Sequence, residues 1–170
     1  MIKNFQNAAP KIHETAFIAE DAVIIGDVEI GEQASVWYGS ILRGDVNFIR
    51  IGARTNIQDA CVIHVSRETH STVLEEEITV GHRVTLHGCY VEKGCLIGIG
   101  AIILDGARIG RNSLVAAGSL VTPGTQIPER SLVMGSPARV KRQLADEEVK
   151  DLKKFWQNYV LLSQIYINAP

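Results

Sequence analysis

From residue 91 to residue 133 the chain reads VEKGCLIGIGAIILDGARIGRNSLVAAGSLVTPGTQIPERSLV. An aliphatic residue returns at every sixth position: Val91, Ile97, Ile103, Ile109, Val115, Val121, Ile127 and Val133. A period of six fits neither the 3.6-residue helix nor the simple alternation of a strand. It fits a coil of triangular cross-section. Each hexad forms one flat face, its aliphatic residue points inward, a small residue turns the corner, and three hexads close a turn. The β-branched bias at the inward positions agrees with strand backbone. The same ladder extends toward the N-terminus through Ile18, Ile24, Ile30, Val36 and Leu42, then Ile51, Ile57 and Ile63, then Leu74, Val80 and Leu86. This pattern predicts a mainly β protein, a parallel β-helix of hexapeptide repeats. A β-sandwich with chance spacing would not sustain so many consecutive matches. The low aromatic content, 6%, agrees with a core of stacked aliphatic ladders.

The repeat breaks in three places. Three extra residues lie between Leu42 and Ile51, a polar insertion spans Ser66–Val73 ahead of Glu75, Glu76 and Glu77, and one residue is missing between Leu86 and Val91. Insertions in a solenoid loop out from one face and often carry function, so the Ser66–Val73 loop is expected to be exposed and mobile. The repeat stops at Gly135-Ser136-Pro137, and a helical period begins. Asp146 reads as an N-cap, with Glu147 and Glu148 in the first turn. Val149, Leu152, Phe155, Trp156, Tyr159, Val160 and Leu162 then form one apolar face. The expected organisation is a β-helix over residues 1–140, followed by a segment, 141–170, with a C-terminal α-helix over about residues 146–166. That helix is expected to pack on the β-helix or a neighbouring subunit and to cover an open end or side.

Composition narrows the function classes. The chain has 170 residues, 46% hydrophobic and 21% charged, with a formal net charge of −2. This balance gives no electrostatic case for a nucleic-acid or anionic-membrane partner. Cys61, Cys89 and Cys95 cannot all pair within one chain and lack CxxC spacing, so they read as buried thiols. Residues 1–10 contain no secretory apolar run and no stretch approaches a membrane span. A cytoplasmic location is the expectation.

Counting hexads places the histidines. Ile30, Ile51, Leu74 and Val91 fall on a first face; Val36, Ile57, Val80 and Ile97 on a second; Leu42, Ile63, Leu86 and Ile103 on a third. The residues that follow the third-face positions are Arg43, His64, His87 and Leu104. They point outward in one column, with coils ~4.8 Å apart. Two imidazoles at that spacing, His64 and His87, can share one metal ion. His82 lies on the second face and cannot easily reach this column within its own chain. A neighbouring chain packed face to face could present it, and such heterologous contacts close into a ring. Asp59 stacks one coil from His82, so Arg43 and Asp59 could pair where two such faces meet. His13 and His70 lie outside this geometry: His13 reads as incidental and His70 as a loop residue.

With these segments in view, the chain resembles the γ-class carbonic anhydrase family. The likeness rests on Leu42-Arg43-Gly44-Asp45, Asn56-Ile57-Gln58-Asp59, Val62-Ile63-His64-Val65 and the run Gly81 to Cys89 containing His82 and His87, and it extends over residues ~10–140. The resemblance implies a left-handed β-helix and a homotrimer with metal sites between subunits. It implies His64 and His87 of one subunit and His82 of the next as ligands of Zn²⁺, with Fe²⁺ or Co²⁺ equally suited to imidazole donors. It implies Arg43 and Asp59 as an intersubunit pair, Asp45 in the same network, Gln58 on a metal-bound water or bicarbonate, and Asn56 lining the pocket. The implied reaction is attack of a metal-bound hydroxide on CO₂ to give bicarbonate. The most active members carry a glutamate directly after the arginine–aspartate segment, where this chain has Val46. That implies weak CO₂ hydration unless Glu68, Glu75, Glu76 or Glu77 substitutes as proton shuttle.

Two other classes share this architecture. A hexapeptide-repeat acyltransferase, or a metal-dependent thioesterase acting on acyl-CoA, would use one histidine as general base or the same metal site. A non-enzymatic assembly protein would hold a purely structural metal, which is normally closed by four protein ligands; three favour catalysis.

Overall fold

The computed structural model describes residues 1–168. The hexads wind into a parallel β-solenoid of about seven turns. Register follows the hexad count. Ile30, Ile51, Leu74, Val91, Ile109 and Ile127 stack on the first face. Val36, Ile57, Val80, Ile97, Val115 and Val133 stack on the second. Ile24, Leu42, Ile63, Leu86, Ile103 and Val121 stack on the third. These ladder residues are buried and form one continuous core. The driving force is ordinary apolar burial, about 1.5–3 kcal/mol for each fully buried aliphatic side chain.

The first insertion does not leave the coil. Strands Val23–Ile30 and Ile41–Ile51 run unbroken around a corner and join the first and third faces into one twelve-stranded sheet. The extra residues bulge after Gly44, where the register shifts between Gly26 and Val28 of the facing strand. This bulge carries Asp45, and Val46 within it packs against the core. Glycines act in two ways. A side chain at Gly52 would put its Cβ 2.5 Å from the carbonyl carbon of Glu75, so the close approach of successive coils excludes it. The corners themselves tolerate larger residues in the left-handed region, Arg54, Ala60 and Arg83 among them. Corner turning is therefore less restricted to small residues than expected.

The solenoid ends in a hairpin. Strand Ser131–Gly135 pairs antiparallel with Ala138–Gln143, so the last second-face strand is not left as an open parallel edge. The helix follows over Asp146–Asn168. Its N-terminus is capped by Glu148, whose carboxylate accepts from the Ala145 N–H at 2.9 Å and from the Arg142 guanidinium at 2.7 and 2.8 Å. Asp146, expected to cap, instead lies in the first turn and pairs with Arg130. A glutamate three residues after the cap position does this work because its longer side chain reaches back to the free N–H. The helix docks on the second-face strands Phe17–Ile18, Ser35–Val36 and Asn56–Ile57. An aromatic cluster fastens it: Trp37 lies 5.3 Å from Tyr159 and 5.1 Å from Tyr166, both edge-on. Leu152 and Ser163 are buried, whereas Phe155 and Leu162 of the expected apolar face are exposed.

Cys61, Cys89 and Cys95 are buried free thiols, and burial pushes each up to about 12 by disfavouring the thiolate. Folded protein at pH 8 is therefore expected to leave all three unmodified by a chromogenic disulfide reagent over an hour, with full reaction in denaturant. Rapid labelling of any thiol in the folded protein would contradict this packing.

Candidate functional site

Parallel pairing puts His87 directly opposite His64. Both stand outward from the third face on strands Val62–His64 and Thr85–His87. His64 Nδ1 lies 3.1 Å from His87 Nε2. The far nitrogen of each ring meets a carboxylate: His64 Nε2 lies 3.0 Å from Asp45 Oδ1, and His87 Nδ1 lies 2.7 Å from Asp105 Oδ1. Arg43 pairs with the other oxygen of Asp45. Partial burial works to raise the Asp45 carboxyl, but hydrogen bonds from His64 and Arg43 outweigh it and hold the group below its ordinary value. Asp105 follows the same logic, with His87 and Ser66 outweighing desolvation.

The two carboxylates settle which ring nitrogens carry protons in the neutral rings. Each aspartate accepts an N–H, so His64 Nδ1 and His87 Nε2 are left with lone pairs that face each other at 3.1 Å. Two facing lone pairs repel unless a proton or a cation lies between them. Two nitrogens bound to one tetrahedral ion at 2.0–2.1 Å would stand ~3.3 Å apart. The pair therefore fits a shared divalent cation in donor type, in spacing and in the carboxylate behind each ring. Among the described residues, no group of three or more metal-binding side chains converges within one chain.

A second cluster occupies the second face. His82 Nδ1 lies 2.7 Å from Asp59 Oδ2, which leaves Nε2 facing away from the carboxylate; both side chains are over 40% exposed. Beside them Asn56 and Gln58 are buried. Asn56 Nδ2 donates to Thr79 Oγ1 at 3.0 Å, and Gln58 Nε2 donates to Asn56 Oδ1 at 3.2 Å. Gln58 also lines an apolar groove of about 340 Å³, with Leu96, Ile99, Leu114 and Phe155 among its walls.

The expected residues thus fall into two clusters. Arg43, Asp45, His64 and His87 come together on the third face; Asn56, Gln58, Asp59 and His82 come together on the second. Within one chain Arg43 pairs with Asp45 and Asp59 with His82. The His13 ring hydrogen-bonds Thr15 through Nδ1, away from both clusters. His70 lies on the insertion loop, close over Gly88 and Gly106. Sequence reasoning missed Asp105 and Ser66. Asp105 directly follows Leu104 in the histidine column, and Gly88 directly follows His87. A glycine beside a ligand-type histidine, one coil below an aspartate, was the available signal.

The repeat matches the family "Bacterial transferase hexapeptide (six repeats)" over residues 88–123. A probable carbonic anhydrase of Methanocaldococcus jannaschii is 52% identical, covering 90% of this chain and 96% of that protein. Gamma carbonic anhydrase 1, mitochondrial, of Arabidopsis thaliana is 42% identical over 97% of this chain, which spans only 62% of that relative's length. Among solved structures, a putative acetyltransferase of Bacillus cereus superposes with a TM-score of 0.95 at 45% identity, covering 97% of this chain and 95% of the other. With the hexad solenoid, the facing imidazoles and relatives of this identity along nearly its whole length, the chain belongs to the γ-class carbonic anhydrase-like family of hexapeptide-repeat proteins.

Proposed function

We propose that this chain is a γ-carbonic anhydrase-like metalloenzyme that interconverts CO₂ and bicarbonate at a site completed between copies of itself. The observation that carries the reading is the facing pair of imidazole nitrogens at 3.1 Å, each ring backed by an aspartate. His64 and His87 supply two ligands to a divalent cation, and His82 of the partner subunit supplies the third. Zn²⁺ is the first choice, and Fe²⁺ or Co²⁺ satisfies the same donors. A cation there supplies Lewis acidity and lets water act as a nucleophile near neutral pH.

The chain's own groups do the rest. Asp45 and Asp105 fix the ring tautomers. Gln58, immobilised through Asn56 and Thr79, presents the remainder of its carboxamide to the substrate oxygens. Arg43 and Asp59 are both half-exposed, which supports their pairing across the subunit boundary in the assembly. Exposed apolar residues on the histidine face, Ile41, Val62 and Ile102 in a column interrupted by Thr85, support burial against another copy. A ring of three such heterologous contacts closes the assembly.

Proton release is the weak step in this reading. Val46 packs on the core and offers no acceptor. Glu75 accepts from the Tyr90 hydroxyl and the Lys93 N–H, Glu76 pairs with Lys93, and Glu77 pairs with Arg54. Glu68, on the insertion loop, has no ion pair among the described residues and is the remaining shuttle candidate.

A second reading has its own support. The Bacillus cereus structure and a hexapeptide transferase family protein of Anaplasma phagocytophilum (TM-score 0.93, 41% identity) carry transferase names, and the apolar groove at Gln58 could take an acyl group.

Purified protein is expected to carry about one divalent cation per chain by elemental analysis, and His64→Ala, His82→Ala and His87→Ala to lose it. CO₂ hydration is expected in the wild type, lost in His64→Ala, and accelerated by rising imidazole buffer because an external base relieves proton release. Metal-free wild type, or hydration unchanged in His64→Ala, would refute the proposal. Thiol release from acetyl-CoA without CO₂ hydration would favour the second reading.

A further inference from the structure

The Ser66–Val73 insertion joins the histidine pair through one carboxylate. Asp105 Oδ1 accepts from His87 Nδ1 at 2.7 Å, while Asp105 Oδ2 accepts from the Ser66 hydroxyl at 2.9 Å. Ser66 itself is fixed at the root of the insertion, where its N–H donates to the His70 carbonyl at 2.9 Å and its carbonyl accepts from Asn47 Nδ2 at 3.1 Å. Both oxygens of Asp105 are thus committed, and the carboxylate is not free to turn away from the imidazole.

The fold also reserves space for this contact. A Cβ on Gly88 would stand 2.1 Å from Asp105 Oδ1 and 2.7 Å from the His70 Cβ. Gly88 moreover has a φ of +56°, a conformation L side chains rarely adopt. This turn lies where the repeat is one residue short, between Leu86 and Val91. A glycine there lets the aspartate of the next coil reach the ring of His87.

We infer that Asp105, clamped by Ser66 and admitted by Gly88, is a positioning residue that fixes His87 with Nε2 unprotonated and aimed at the metal position. The inference rests on the metal reading of His64 and His87. By holding the proton on Nδ1, Asp105 keeps the lone pair on the nitrogen that faces His64, and its negative charge strengthens that nitrogen as a donor. The insertion then acts as a buttress for the metal site, anchored through the side chain of its first residue.

The test is Zn²⁺ affinity, measured by competition with a chromophoric chelator on the assembled protein, together with the visible d–d spectrum of the Co²⁺ form and the melting temperature of metal-free protein. Asp105→Ala is expected to weaken binding about ten- to hundredfold and to alter the Co²⁺ spectrum. Asp105→Asn, which retains an acceptor for the ring N–H, keeps more affinity. Gly88→Ala displaces the carboxylate without removing it and should reproduce part of the loss, and Ser66→Ala should give a smaller one. Wild-type affinity and an unchanged spectrum in Asp105→Ala, with only a lowered metal-free melting temperature, would overturn the inference and leave Asp105 as a tie for the loop. A wild type that binds neither Zn²⁺ nor Co²⁺ would instead refute the metal reading itself.

Discussion

Everything distinctive about this molecule depends on the vertical register between coils. In a parallel ladder each residue is stacked on its counterpart one turn away, at a spacing of ~4.8 Å set by backbone hydrogen bonds rather than by side chains. A six-residue period keeps the aliphatic residue of every face in the same column, so the core is a set of continuous ladders. The outward columns inherit the same alignment. His64 and His87 are 23 positions apart in sequence yet directly paired, because the insertion between them leaves the coil and returns in phase. A slip of one residue anywhere between them would turn one ring into the core and dissolve the pair.

The second consequence is a division of labour. One chain places two imidazoles and two aspartates on one face, and a third imidazole with an aspartate, an asparagine and a glutamine on another. The first cluster can begin a coordination sphere but does not complete one. The second offers a histidine whose free nitrogen faces away from its own aspartate. The column of Ile41, Val62 and Ile102 beside the histidines, broken only by Thr85, is a poor surface for a monomer to expose. These features have a common explanation if each face is half of a site and assembly is what joins them. Rigidity serves this arrangement well. On that reading, halves built on regular ladders would have their relative position set once the subunits dock.

Much of this was legible in the sequence because hexad counting is arithmetic. The three face assignments, the stacking of His64 under His87 and the placement of Asp59 beside His82 follow from the positions of Ile57, Ile63, Val80 and Leu86 alone. What could not be counted was anything that depends on side-chain reach. Asp105 sits one position beyond the outward column and enters the site only because Gly88 leaves room for its carboxylate. Glu148 rather than Asp146 caps the helix because its length, not its place, reaches the Ala145 N–H. The helix docks through Trp37, Tyr159 and Tyr166, which leaves Phe155 and Leu162 outside the buried stripe that periodicity alone would assign them. The carboxylate, glycine and aromatic partners come from distant coils, and a single linear pattern does not show such pairings.

The central claim is that two different faces, on two copies, make one metal site. Mixing two defective chains tests it most directly. His82→Ala keeps the third-face half intact, and His64→Ala keeps the second-face half intact; each alone should bind essentially no Zn²⁺. Co-assembled in equal amounts into rings, they should regain about a quarter of the wild-type metal content, since one interface in four joins the two good halves by chance. Metal content that stays at the level of the separate variants, in mixed rings verified by mass spectrometry, would contradict the account.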